Sequence, residues 1–133
     1  MLLVRRFAVI AVGGALGSWL RWRIAVAHPV DSARFPTTTL VINLVGAALI
    51  GIVLVLFLDR RPPRPLVHSF LGTGVLGAFT TFSTFTVETA ELLRVARPLM
   101  AAIYVVVSVV GGVSAALATM ALTRLMLRGG VTS

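Results

Sequence analysis

GTGVLGAFTTFSTFTVETAE, Gly72 to Glu91, lies inside a segment long and apolar enough to cross a bilayer, for which about 20 residues suffice. Its centre, Phe79-Thr80-Thr81-Phe82-Ser83-Thr84-Phe85-Thr86, is nevertheless a run of aromatics and hydroxyls. Hydroxyls cost free energy in hydrocarbon unless they find hydrogen-bond partners. Gly72, Gly74 and Gly77 stand just upstream, so the expected structure is a helix interrupted near Thr80. A break at membrane depth is tolerated only where protein or a wet cavity covers it. The pattern points to a site for a small ion.

The chain around this stretch has 133 residues, 58% of them hydrophobic and only 12% charged, with a mean hydropathy of +1.02. Soluble domains carry about twice that charged fraction. Four long apolar runs account for nearly the whole chain, so the sequence reads as a single all-α membrane domain, residues 1–133. Its spans fall at about residues 3–27, 37–58, 66–91 and 98–126. The net charge of +8 comes from twelve arginines and no lysine. On a soluble chain that balance would suggest nucleic acid. These arginines flank apolar runs, where lipid headgroups are the natural partners, and no nucleic acid is expected. Cysteine is absent, which removes disulfide and thiol chemistry. The N-terminal MLLVRRFAVIAVGGALG has the outline of a signal peptide. It runs into Ser18-Trp19-Leu20-Arg21-Trp22-Arg23 rather than a small-residue cleavage site, and it reads as a retained first span.

In the first span Gly13, Gly14 and Gly17 give one face little bulk, suited to close helix packing. Arg21 follows Gly17 by four residues on that face; it either snorkels among Trp19 and Trp22 or points inward. The short loop Ala27 to Pro36 implies that spans 1 and 2 are antiparallel neighbours. Thr37, Thr38 and Thr39 offer caps for the second span. On one face of that span Thr39, Asn43 and Gly46 lie in line. Asn43 is either a bond between helices or a donor lining a polar path. The loop Asp59 to Pro65 is basic and proline-stiffened, too short for a domain. In the third span Phe82 and Phe85 share a face among Thr81, Ser83 and Thr84; ring edges carry partial positive charge that favours an anion. Glu91 pairs with Arg94 three residues on, whereas Glu88 has no local partner. On the fourth span Tyr104 and Ser108 share a face, and Gly111, Gly112, Ala115 and Ala116 form a small-residue surface. The tail Arg124 to Ser133 begins as an interfacial anchor.

With four spans, both termini and the loop between spans 2 and 3 share one side. That side holds seven arginines (Arg5, Arg6, Arg60, Arg61, Arg64, Arg124, Arg128) against five opposite (Arg21, Arg23, Arg34, Arg94, Arg97). This is a weak positive-inside bias, compatible with both insertions. Four short helices also leave little room for an internal pore. An antiparallel, inverted homodimer would supply the missing wall.

In order along almost the whole chain, Gly13-Gly14-Ala15-Leu16-Gly17-Ser18-Trp19-Leu20-Arg21-Trp22, Thr39-Leu40-Val41-Ile42-Asn43-Leu44-Val45-Gly46, Gly74 to Phe85 with its TTFSTF, and Glu88 resemble the fluoride channel family, also called Fluc or CrcB. The resemblance implies a dual-topology antiparallel dimer in the bacterial inner membrane, and not an enzyme. It implies two pathways for passive, fluoride-selective export from the cytoplasm. It further implies a structural sodium ion held by backbone carbonyls around Gly77 and Thr80 of both copies, with no organic cofactor. Asn43, Phe82 and Phe85 would line the anion path, with Thr39 on the same face as Asn43. Tyr104 and Ser108 would continue the polar track, and Arg21, Ser83 and Glu88 would lie in the vestibule or support it. The chain departs from the family at Gly112, where a hydroxyl is expected one turn past Ser108; Ser114, another hydroxyl or water would take over there. Two alternatives share the size and charge balance: a small dual-topology drug or cation exporter, and a purely structural assembly protein. A proton-coupled exporter is expected to carry a titratable acid deep in a span, and span 1 has none. An assembly protein leaves the hydroxyl-aromatic run without a purpose.

Overall fold

A computed structural model of the chain describes residues 2–31, 33–58 and 65–129. Of the proline-rich loop expected at Asp59–Pro65, residues 59–64 lie outside the described residues, as does the tail beyond Gly129, while Pro65 already begins a helix. Two uninterrupted helices, α1 (Leu2–Ala27) and α2 (Thr37–Leu58), come first. The third span begins with α3, residues 65–79, which is α-helical at Pro65–His68, π-helical at Ser69–Leu76 and α-helical again at Gly77–Phe79. After a two-residue break comes α4 (Phe82–Arg94), and α5 (Pro98–Gly129) closes the bundle. Four segments, Leu2–Ala27, Thr37–Phe57, Pro65–Arg94 and Pro98–Arg128, are long and apolar enough to cross a membrane. Their outer faces carry exposed Val, Leu and Trp side chains, the expected surface where the solvent is lipid.

The interruption falls where the hydroxyl run places it. Thr80 (φ −74°, ψ 153°) and Thr81 (φ −143°, ψ 119°) are extended. The Thr80 N–H still reaches the Leu76 carbonyl at 3.1 Å, so the break begins only at the next peptide. Thr81 caps α4, its hydroxyl accepting the Thr84 N–H at 3.2 Å. That is the N-cap geometry expected of a threonine.

The expected pairing of spans 1 and 2 is not what forms. α1 packs chiefly on α3 and α2 chiefly on α5, while α1 and α2 scarcely touch. The reason is backbone proximity at small residues. A Cβ on Gly17 would run into the Val75 carbonyl, and one on Gly13 into the Phe70 carbonyl; Gly74 answers from α3 against Ile10 and Gly13. On the other side a Cβ on Gly51 would collide with Thr119 and the Ala116 carbonyl. There the Thr119 hydroxyl bonds the Ala48 carbonyl at 2.8 Å. Small faces on both partners outweigh loop length, because packing and interhelical hydrogen bonds are what drive association in lipid. The proposed threonine caps also find other work: Thr38 donates to the His28 carbonyl at 2.7 Å, and Thr39 to Glu88.

The α4–α5 corner is a Schellman turn. The Arg97 N–H reaches the Leu92 carbonyl at 2.9 Å and the Ala96 N–H the Leu93 carbonyl at 3.1 Å. This geometry puts Ala96 at φ 57°, where glycine is favoured. Ala96→Gly is therefore expected to raise stability by about 0.5–1 kcal/mol, read as a higher melting midpoint by circular dichroism in detergent. Gly17→Ala should act oppositely. Its methyl meets backbone rather than a yielding side chain, so a loss of about 1–3 kcal/mol is expected; an unchanged midpoint would show that α1 and α3 are not in close register.

Candidate functional site

The site grows out of the backbone groups that the break sets free. In an unbroken helix the Thr81 N–H would meet the Gly77 carbonyl. Here it turns to Asn43 Oδ1 at 2.9 Å, while Asn43 Nδ2 donates to the Thr81 carbonyl at 3.0 Å. A single amide thus satisfies both backbone polar groups of one residue, from a helix 38 residues away in sequence. Arg21 takes a second freed group: its Nε donates to the Ala78 carbonyl at 3.1 Å. Of the two readings open for Arg21, the structure realises the inward one. Thr80 returns its hydroxyl to the Leu76 carbonyl at 3.0 Å, and its methyl occupies the hollow that Gly46 leaves on α2. Thr81 Oγ1 donates to Thr84 Oγ1 at 2.9 Å and lies 3.3 Å from Ser83 Oγ.

Beside the break is a cavity of about 270 Å³ lined by Asn43, Ala47 and Ile50 of α2, Thr80, Thr81 and Phe82 at the break, Phe85 of α4, and Ser108 and Val109 of α5. Asn43, Phe82, Phe85 and Ser108 are thereby brought together. The Phe82 and Phe85 rings sit 5.7 Å apart at 38°. Phe82 is 79% exposed, so its outer face is uncovered in the single chain. Ser108 Oγ is buried and has no protein partner. A buried hydroxyl without a partner is unfavourable, and this one borders a space large enough for water or an ion.

Phe85 connects the cavity to a second set of residues. Its ring lies 5.2 Å from that of Tyr104, which is fully buried and donates its hydroxyl to Glu88 Oε2 at 2.7 Å. Thr39 donates to the other oxygen, Oε1, at 2.6 Å. Glu88, without a partner in its local sequence, is held by two hydroxyls from 49 and 16 residues away. It also borders a second cavity of about 220 Å³, with Val30, Asp31, Arg34, Pro36, Val87 and Glu91. Phe85, Tyr104 and Glu88 form a continuous wall between the two spaces. Asp31 and Arg34 had no sequence signal; they reach this place because the α1–α2 loop folds against α4. The Glu91–Arg94 pair forms as expected, at 3.0 Å and exposed.

Some expected residues lie elsewhere. Ser83 is exposed and touches the site only through Thr81. Beyond Ser108, Ser114 is exposed and Thr119 is committed to the α2–α5 seam. A Cβ on Gly112 would meet only Ala47, at 4.0 Å. Gly77 is exposed near the end of α3 and Thr80 half-buried at the break. Among the described residues no group of three or more His, Cys, Asp or Glu could hold a metal.

A four-span chain with a broken third helix and a polar-lined cavity at the break defines a small membrane protein built around an intramembrane site. The chain belongs to the CrcB family: the family model described as "CrcB-like protein, Camphor Resistance (CrcB)" matches residues 8–120. It is 38% identical over 125 residues to Fluoride-specific ion channel FluC 1 of Mycobacterium bovis, covering 93% of this chain and 95% of that one. With Fluoride-specific ion channel FluC of Saccharophagus degradans it shares 35% identity over 115 residues, 86% of each chain. Identity rises to 47% over 74 residues with Fluoride-specific ion channel FluC 2 of Streptomyces avermitilis, 56% of this chain and 47% of that one. The match thus spans about half the length of the Streptomyces relative. Four apolar spans and bacterial relatives place the chain in a bacterial inner membrane as a multi-pass protein.

Removing one hydroxyl at Glu88 tests how tightly this wall is held. Tyr104→Phe leaves Oε2 without its donor and should cost about 1–3 kcal/mol. Thr39→Val in that background should cost more than the two single losses added, because the carboxylate then has neither donor. Thermal midpoints of the four proteins give the coupling directly; simple additivity would mean that water replaces either hydroxyl freely.

Proposed function

We propose that this chain is a passive fluoride-selective channel that lets fluoride leave the cytoplasm, built as an antiparallel homodimer with two pathways. The observation that carries the proposal is the cavity at the break, where two phenyl rings, the Asn43 amide and the unpartnered Ser108 hydroxyl converge. The named relatives are called fluoride-specific ion channels, and that supports the same ion here.

Fluoride is small and strongly hydrated, so entry into a narrow path requires donors that replace its water. The Asn43 amide has a second N–H besides the one given to Thr81, Ser108 offers its O–H, and Phe82 and Phe85 offer ring edges. None of these is a fixed cation, so none would bind the anion too tightly for release. Beyond Phe85 the route would continue into the second cavity, with Asp31 and Arg34 at its mouth, past a wall in which Tyr104 and Thr39 hold Glu88 rather than donate to the ion. A second copy in the opposite orientation would cover the exposed Phe82 and complete the wall.

A sodium ion at the dimer centre fits the donors present. The Thr81 N–H is turned away from the Gly77 carbonyl, leaving oxygen ligands of the kind hard cations take, on a helix end that carries partial negative charge. The carbonyls of Gly77 and Thr80 from both copies would hold it. Once bound, the ion would supply the positive charge that draws the two breaks together.

Liposomes holding the purified protein test the proposal. Fluoride efflux is expected, with chloride slower by at least roughly a hundredfold, about 2.7 kcal/mol of barrier. Phe82→Ile and Asn43→Ala should each slow fluoride by about tenfold or more. Equal fluoride and chloride rates would sink selectivity, and proton-coupled cation transport without fluoride efflux would replace the channel with an exporter.

A further inference from the structure

We infer that Arg21 is the residue that keeps the cation position at the helix break monovalent. The inference deepens the proposed function and rests on its antiparallel dimer and central sodium. The Arg21 guanidinium donates through Nε to the carbonyl of Ala78 at 3.1 Å, and it is drawn there from α1, 57 residues away in sequence. Ala78 is the residue immediately after Gly77, inside the last α-helical turn before the break, Gly77–Phe79. Carbonyls on one helical turn point the same way, toward the C-terminal end. A fixed positive charge is therefore bonded to the carbonyl adjoining the one proposed to hold the ion.

Two consequences follow from charge alone. Arg21 repels any cation at the break, and the repulsion scales with the ion's charge, so a divalent ion is repelled twice as strongly as a monovalent one. In an inverted dimer each copy brings its own Arg21, and the difference grows. The neutral donor set attracts a divalent ion about twice as strongly as a monovalent one, but the cost of stripping water from an ion grows as the square of its charge, so the dipoles alone do not offset it. The oxygens at the break are neutral carbonyls and hydroxyls, and among the described residues no cluster of three or more acidic or other metal-ligating side chains offers the charge that a calcium or magnesium ion normally takes from carboxylates. Arg21 thus has two roles in one bond. It satisfies a carbonyl that the break exposed, and it sets the charge of the ion that the neighbouring carbonyl accepts. Gly17, one turn earlier on α1, makes this possible, because only without a Cβ can α1 approach the Val75 carbonyl and Phe79 amide closely enough.

The test is the melting midpoint of the detergent-purified protein titrated with NaCl or CaCl2 in a buffer of a large organic cation at constant ionic strength. The wild-type protein should be half-stabilised by sodium at roughly tenfold lower concentration than by calcium. Arg21→Gln keeps a donor for the Ala78 carbonyl and loses the charge; its sodium-to-calcium ratio should fall by roughly tenfold. Arg21→Lys keeps the charge and should keep the wild-type ratio. Calcium matching sodium in the wild type overturns the inference, as does an unchanged ratio in Arg21→Gln. So does Arg21→Lys behaving like Arg21→Gln, since geometry rather than charge would then be the cause. If Arg21→Gln does not fold, the wild-type and Arg21→Lys titrations decide alone. Failure here is separable from failure of the channel reading. Fluoride efflux without any cation response removes only the Arg21 assignment, whereas a sodium-selective response without fluoride efflux removes only the channel.

Discussion

A helix broken inside hydrocarbon must have its freed backbone groups satisfied by something other than water, and the rest of this structure answers that demand. Three separate elements do it. Asn43 on α2 takes both polar groups at Thr81, Arg21 on α1 takes the Ala78 carbonyl, and Thr81 itself caps α4. Each orphaned donor or acceptor at this depth would cost several kcal/mol. The break is therefore a property of the packed bundle: remove α1 or α2, and a continuous helix becomes the cheaper conformation for the third span.

The glycines belong to the same solution. On α1, Gly17 precedes Arg21 by one turn; on α2, Gly46 follows Asn43 by three residues. Gly17 lets α1 approach the backbone of α3, Gly46 makes room on α2 for the Thr80 and Phe79 side chains, and in each pair the polar side chain uses the approach to reach a carbonyl or amide at the break. Thr80 fits between them, its methyl in the Gly46 hollow and its hydroxyl on Leu76. Small-residue packing in lipid is usually read as an assembly device. Here it also fixes the distance from which two polar side chains reach the interrupted segment.

Four spans and a break near Thr80 were legible because hydropathy and hydroxyl placement are local properties. Asn43, Thr39 and Gly46 were legible as one face for the same reason, and so was the Glu91–Arg94 pair. What depended on distant partners was not. The π-helical stretch Ser69–Leu76 has no compositional mark, and it lies where α1 presses backbone to backbone at Gly13 and Gly74. Loop length argued for adjacent spans 1 and 2, whereas small surfaces on α3 and α5 chose the neighbours. Glu88 looked unpartnered because both its donors come from other spans, and Arg34 entered the second cavity only through the course of a loop.

Glu88 also shows why hydrogen-bond direction matters as much as residue type along this track. Thr39 and Tyr104 each have one proton, and both protons point at the same carboxylate. In that arrangement the two hydroxyls present only lone pairs to anything else, and an anion gains nothing from either. The donors available in the first cavity are different in kind: Ser108 has a hydroxyl with no protein acceptor, and Asn43 has an N–H beyond the one given to Thr81. The cavity at the break thus keeps donors uncommitted to protein acceptors, while the wall at Tyr104 is set for holding a carboxylate. Two polar clusters of similar composition, joined through the Phe85 ring, differ in which end of each dipole faces the open space.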